Sequence, residues 1–197
     1  MRASLLMQSI FEPFPKLARL SRECTITEKI DGTNAQIVIC KCVDVIPNED
    51  AVAVVGEFVL FAGSRTRLIR PGKTTDNFGF AGWVKDNASE LAQLGAGRHF
   101  GEWHGKGIQR HYNLPDKRFA LFHLHGIAHK PDCVGVVPTL YQGEFSTDAV
   151  ETVMRDLLAH GSHVSPGFMN PEGVVIYHEH ARVAFKKTFD DRHKEAA

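Results

Sequence analysis

The chain has 197 residues, with 43% hydrophobic and 23% charged side chains, values that suit one well-cored globular domain and exclude a largely disordered chain. Lys plus Arg and Asp plus Glu both number 23, so the formal net charge is zero and a nucleic-acid partner would have to be held by a local basic patch. No apolar run approaches the roughly 18 residues of a membrane span, and residues 1–7 lack a full signal-peptide pattern, so a soluble, cytoplasmic protein is expected.

Residues 1–23 carry Phe11, Phe14, Leu17 and Leu20 without helical periodicity, and Pro13 and Pro15 oppose a long helix; they read as a packed N-terminal segment. Residues 24–27 and 35–39 alternate apolar and polar side chains and are rich in Ile, Val and Thr, the pattern of two strands, here joined by a hairpin turn at Asp31-Gly32. Between them stands Glu28-Lys29-Ile30-Asp31-Gly32-Thr33-Asn34. A lysine at a strand end, with a carboxylate two residues on and a glycine that lets a ligand approach the backbone, suits a covalent amine nucleophile. An ordinary Asp-Gly hairpin with an exposed lysine is the alternative reading of the same residues.

Residues 41–50 read as a loop, and residues 51–62 as a buried strand bent at Gly56. Cys40 and Cys42 form a C-x-C on one face, but there is no C-x-x-C pair, so reduced thiols are expected rather than a zinc site. Arg65, Arg67, Arg70 and Lys73 then fall within ten residues that hold no acid. They form either a solvated loop or a phosphate clamp, since arginine's planar fork matches phosphate oxygens. Gly72-Lys73-Thr74 does not complete a Walker loop, because Arg67 stands where the first glycine is needed.

Residues 76–94 read as one amphipathic helix stopped by Gly95. Glu102 follows among Gly101, Gly105 and Gly107, a pattern that lets something approach the backbone closely. Residues 118–124 read as a strand whose Phe119 and Phe122, three apart, face opposite sides. Residues 146–161 read as a second helix, with Val150, Val153, Met154, Leu157 and Leu158 on one stripe, a cap at Thr147 or Asp148, and Gly161 as its stop. Two final strands start after Glu172-Gly173 and end at Lys186-Lys187.

In this order the segments resemble the covalent nucleotidyltransferase superfamily of polynucleotide ligases and mRNA capping enzymes. Lys29-Ile30-Asp31-Gly32 resembles its K-x-D-G nucleophile motif, and Ser64-Arg65-Thr66-Arg67 the motif that follows it. Phe100-Gly101-Glu102 resembles the third motif, residues 119–124 the aromatic motif, Glu172-Gly173-Val174-Val175 the E-G-x-V motif and Phe185-Lys186-Lys187 the terminal lysine motif. Partial matches in the family's order are more specific than any one of them. Asn34 stands where DNA ligases usually carry arginine, and the Thr33-Asn34 pair resembles the RNA ligase 2 branch.

The resemblance implies an α+β fold: a nucleotidyltransferase (ATP-grasp-like) core of antiparallel sheets with flanking helices, formed by residues 1–197 as a single catalytic domain. It implies an ATP-dependent RNA ligase that adenylylates itself, passes AMP to an RNA 5′-phosphate and lets a 3′-hydroxyl expel it. Lys29, Lys186 and Glu172 would be catalytic. Lys29 would attack the α-phosphate as a neutral amine, a state favoured by a nearby cation such as Lys186 or a metal. The nucleotide pocket would comprise Glu28, Lys29, Asn34, Arg65, Glu102, Phe122, Glu172 and Lys186, with Phe122 stacked on the adenine. Glu102 and Glu172 would hold Mg²⁺, with Mn²⁺ as an alternative, and Arg65, Arg67, Arg70, Lys73 and Lys187 would meet phosphates and RNA.

Three departures from the family pattern stand out. His123 takes the place of the usual acid after the second phenylalanine. The terminal motif places only Lys186 at the productive spacing, while Lys187 points to the opposite strand face. The family's C-terminal oligonucleotide-binding or other domain has no counterpart after Thr188, so a protein partner would supply that function. The competing readings are a DNA nick ligase, a capping-type transferase, and an inactive nucleic-acid-binding homologue.

Overall fold

A computed structural model describes residues 12–189. The strands are β1 (Glu23–Lys29), β2 (Thr33–Lys41), β3 (Ala51–Val55), β4 (Phe58–Ser64), β5 (Leu68–Ile69), β6 (Gly97–Gly105), β7 (Lys117–Leu121), β8 (Val134–Val136), β9 (Thr139–Glu144), β10 (Gly173–His178) and β11 (Val183–Thr188). The helices are α1 (Phe80–Asp86), α2 (Ala88–Leu91) and α3 (Thr147–His160). One sheet has the order β11-β10-β1-β9, and the second has β3-β4-β2-β6-β7-β8 with β5 beside β4. Pairing is antiparallel apart from the parallel β7 and β8, and the architecture is the expected α+β.

The alternation of the sequence decides which face each strand buries. In β1, Cys24, Ile26 and Glu28 are buried while the residues between them are less so. Cys24 and Ile26 join Val174 and Ile176 of β10 against Val150, Val153, Met154 and Leu157 of α3. That helix starts at Ser146, whose hydroxyl accepts from the Ala149 amide at 3.1 Å, and ends at Gly161 in a positive-φ conformation. The cap is thus one residue before the expected Thr147 or Asp148, because only the residue preceding the first helical turn points its oxygen at the free amides. In the second sheet, Ile37, Ile39, Leu60 and Ala62 pack on Phe80, Val84 and Leu91. Phe80, Trp83, Trp103 and Phe119 stack there with ring centroids 5.2–5.9 Å apart.

Several expectations need correction. The first two strands do not form a hairpin: β1 pairs with β9 and β10, whereas β2 pairs with β4 and β6. Residues 30–32 therefore carry the chain from one sheet to the other. Ile30 anchors this crossing in a third apolar cluster with Tyr112, Ala120, Val137 and Phe168. The apolar run at 51–62 is a β3–β4 hairpin rather than one bent strand, because Gly56 adopts φ +55° and reverses the chain. The helix expected over residues 76–94 starts at Phe80, and Asn87, with φ −106°, separates α1 from α2. The leading segment is not packed: Phe14, Leu17 and Leu20 are 83%, 75% and 68% exposed, and Phe11 lies outside the described residues.

Candidate functional site

Lys29 is the last residue of β1, at the seam between the two sheets. Glu28 and Lys29 face opposite sides, since strand side chains alternate. Lys29 is opposite Gly173 on β10, and Gly173 is opposite Thr188 on β11; two residues away along the strands, Thr27, Val175 and Lys186 align in the same way. Lys29 and Lys186 therefore rise from one sheet face. Glu172 immediately precedes β10, and its Oε2 accepts from Lys29 Nζ at 2.6 Å.

The second sheet supplies the facing wall. Asn34 pairs with Glu102, so the two side chains share a face. Gly32 lies against the Glu102 side chain, and its amide favours the charged carboxylate. Gly32 has no room for a side chain, because a Cβ there would lie 2.5 Å from the Trp103 carbonyl oxygen. Burial pushes the Glu102 carboxyl up to about 7; the Glu172 charge adds to this, while Lys29, the Gly32 amide and Arg65 oppose it. Lys29, Glu102, Glu172 and Arg65 thus share one electrostatic site.

Arg65 stands with Thr66 at the exposed tip of the β4–β5 turn, which the Ser64 amide closes on the Arg67 carbonyl at 2.8 Å. Arg67 and Lys73 are also exposed. Phe119 is fully buried and Phe122 is 37% exposed, as their opposite facing requires. Phe122 continues β7 by donating its amide to the Phe100 carbonyl at 3.0 Å. His123, in the place of the family's acid, is exposed and accepts the His125 amide at 3.3 Å.

The expected ligand roles of three residues do not fit their side-chain contacts. Glu28 is 1% exposed, and its carboxylate accepts from Ser162 Oγ at 2.6 Å and from the His163 and Val164 amides at 2.8 and 3.0 Å. Its side chain faces away from Lys29 and anchors the loop after α3. Arg70 reaches Glu49 at 3.2 Å and Asp50 at 3.7 Å, so it clasps the loop before β3 rather than completing a phosphate clamp. Lys187 pairs with Glu151 of α3 on the face away from Lys186.

Two residues of the site escaped the sequence reading. Tyr112 is fully buried, and its hydroxyl accepts the Asp31 amide at 2.7 Å. Arg110 donates from Nε to Asp31 Oδ2 at 2.9 Å. The glycines before them hinted at a close approach, but nothing local identifies partners some 80 positions away in the chain.

The RNA ligase family model matches residues 22–194. The chain belongs to the RNA ligase family. Its fold is similar to solved structures of a Naegleria gruberi RNA ligase. A lysine-to-methionine variant of that protein with AMP and Mn aligns with a TM-score of 0.58 and 16% identity, over 89% of this chain and 52% of that one. A lysine-to-alanine variant with ATP and Mn gives 0.57, 16%, 89% and 51%. The protein with PPi gives 0.55, 16%, 89% and 52%. At this identity the likeness is one of fold, and this RNA ligase family member spans about half the length of those chains. No curated protein sequence matches it. No helix among the described residues is long and apolar enough to cross a membrane.

Proposed function

We propose that this RNA ligase family member is an ATP-dependent RNA ligase with a nucleotidyltransferase core, joining RNA 3′-hydroxyl and 5′-phosphate ends through a covalent Lys29–AMP. The observation that carries the reading is the 2.6 Å contact between Lys29 Nζ and Glu172 at the seam of two sheets, with Glu102 and Arg65 in the same electrostatic site. The solved relatives with ATP, AMP, Mn and PPi lend support by likeness of fold.

In this reading Lys29 Nζ forms a bond to the α-phosphorus of ATP as the bond to pyrophosphate breaks, and the amine proton leaves. Attack needs the neutral amine, so Glu172 either accepts that proton or releases Lys29 when the nucleotide arrives. Lys186, on the same sheet face, offsets charge growing on the α-phosphate oxygens. Phe122 offers an exposed ring for the adenine, and Asn34 and Arg65 offer donors to the nucleotide. The AMP then passes to an RNA 5′-phosphate, and a 3′-hydroxyl displaces it as the ends join. Arg65, Arg67 and Lys73, exposed at one end of the second sheet, suit the RNA phosphates.

Glu102 and Glu172 fit a divalent cation. Desolvation, and to a lesser degree the Glu172 charge, push the Glu102 carboxyl toward its neutral form, and a cation held by the two residues would favour the charged form. Among the described residues no cluster of three or more His, Cys, Asp or Glu side chains forms a closed metal site. Glu102 and Glu172 would offer Mg²⁺ or Mn²⁺ the hard oxygen ligands these ions take. The bound cation would supply neutralisation of phosphate charge.

The test is incubation with Mg²⁺ and ATP labelled on the α-phosphate, followed by denaturation. Label is expected on the wild type, released by acid as for a phosphoramidate, and none on Lys29→Ala. Nicked RNA should then be sealed faster than nicked DNA. Absence of covalent label from protein pre-treated with pyrophosphate, with ATP, GTP or NAD as donor, refutes the proposal.

A further inference from the structure

Arg110 joins the two loops that carry Lys29 and Glu172. Its Nε donates to Asp31 Oδ2 at 2.9 Å, two residues after Lys29. Its Nη1 donates to Asn170 Oδ1 at 2.9 Å and reaches the Asn170 and Pro171 carbonyl oxygens at 3.3 and 3.4 Å, immediately before Glu172. The side chains of Arg110 and Asp31 are 17% and 27% exposed, so this is a shielded contact rather than a surface ion pair.

The backbone around Arg110 is also over-determined. Gln109, His111, Tyr112 and Asn113 have φ values of 43°, 46°, 51° and 53°, a conformation that non-glycine residues adopt only where their surroundings impose it. Tyr112 does the imposing. Its ring lies 4.8 Å from Phe168 and 6.0 Å from His104, its hydroxyl accepts the Asp31 amide, and its carbonyl accepts Ser165 Oγ at 2.7 Å. Asp31 is thereby gripped twice, by the Arg110 side chain and at its amide by Tyr112. The grip has an evident target, because the Lys29–Glu172 contact spans the same two loops.

We propose that Arg110 is a positioning residue for covalent transfer to Lys29: it fixes the Lys29 loop against the Glu172 loop without touching the nucleotide. The inference rests on the covalent mechanism proposed above. A guanidinium suits the task because its planar fork donates in two directions at once, whereas a lysine in its place would reach Asp31 or the Asn170 loop but not both. A residue that only stabilised the fold would lower the melting temperature and leave the rate of the folded protein intact.

The experiment is single-turnover label transfer from α-labelled ATP with Mg²⁺, using the full chain and its Arg110→Ala and Arg110→Lys variants, with melting curves for each. Misplacing reacting groups by an ångström slows a reaction by about 100-fold, the loss expected for Arg110→Ala at saturating ATP. Arg110→Lys should remain about 10-fold slow, and the half-saturating ATP concentration should move less than about threefold in either variant, the pattern of lost transition-state geometry rather than lost binding. Adding Arg110→Ala to Asp31→Ala, which removes the acceptor, should slow transfer no further than Asp31→Ala alone, because either change already breaks the link between the two segments. If Arg110→Ala does not fold, Arg110→Lys decides. A folded Arg110→Lys within about threefold of the wild-type rate overturns the inference and leaves the covalent mechanism standing. A wild type that takes no label overturns both.

Discussion

Glu102→Gln is expected to stabilise the protein at pH 8 and to remove its label transfer. The Glu102 carboxyl titrates near 4.5 in an unfolded chain, and burial raises it to about 7 in the folded one. Below pH 4.5 the group is neutral in both states and the fold pays no electrostatic penalty. Between 4.5 and 7 the folded chain keeps a proton that the unfolded chain has released, so stability falls as pH rises. Above 7 the group is charged in both states and the penalty is complete, about 3 kcal/mol at roughly 1.4 kcal/mol per pH unit. Glutamine keeps the shape, keeps an oxygen for the Gly32 amide and never ionises. Urea unfolding of wild type and variant from pH 4.5 to 8 should therefore give curves that coincide at the acid end and separate by up to about 3 kcal/mol at pH 8. Millimolar Mg²⁺ should narrow the gap, because a cation beside the carboxylate favours its charged form. A difference that is flat with pH, or a variant less stable at pH 8, refutes the reasoning.

Gly32→Ala should destabilise the chain by about 1–3 kcal/mol and abolish labelling, since its Cβ would meet the backbone of a central strand; thermal melts and the label assay check both parts. Ser162→Ala removes the 2.6 Å bond to buried Glu28 and the acceptor for the Ser165 amide, and the urea midpoint should register a loss of about 1–3 kcal/mol. Lys186→Ala should cut label transfer strongly. Lys187→Ala should leave it unchanged and barely alter the melting temperature, because its partner Glu151 is on α3 and the pair is exposed. Equal losses from the two lysine variants would mean that β11 is assigned to the wrong register.

Alternation at period two made strand faces legible from the sequence, down to the opposite facing of Phe119 and Phe122 and of Lys186 and Lys187. What alternation cannot encode is which sheet a strand joins. Residues 24–39 have the local pattern of a hairpin, yet pairing with β10 on one side and with β4 and β6 on the other draws β1 and β2 apart. The roles of Glu28 and Arg110 were hidden for the same reason, their partners being remote in the chain. Arg70 misled differently: its acids, Glu49 and Asp50, precede it by about 20 residues, outside the window in which the cations were counted.

The position of Lys29 follows from its neighbour. Adjacent residues of a strand face opposite ways, and a slip of one residue would exchange every side chain between faces. Such a slip in β1 would turn Lys29, with Thr25 and Thr27, toward Val174 and the apolar face of α3, and would expose Cys24, Ile26 and the Glu28 carboxylate, leaving Ser162 Oγ and the amides of residues 163 and 164 without their acceptor. Both changes are unfavourable, because an unpaired buried cation and orphaned buried donors each cost several times a surface contact. Glu28 thus fixes the register that points Lys29 at Glu172. The crossing at residues 30–32 then brings Glu102 of the second sheet within reach of that pair. A carboxylate buried on one face of a strand specifies where the amine on the other face stands.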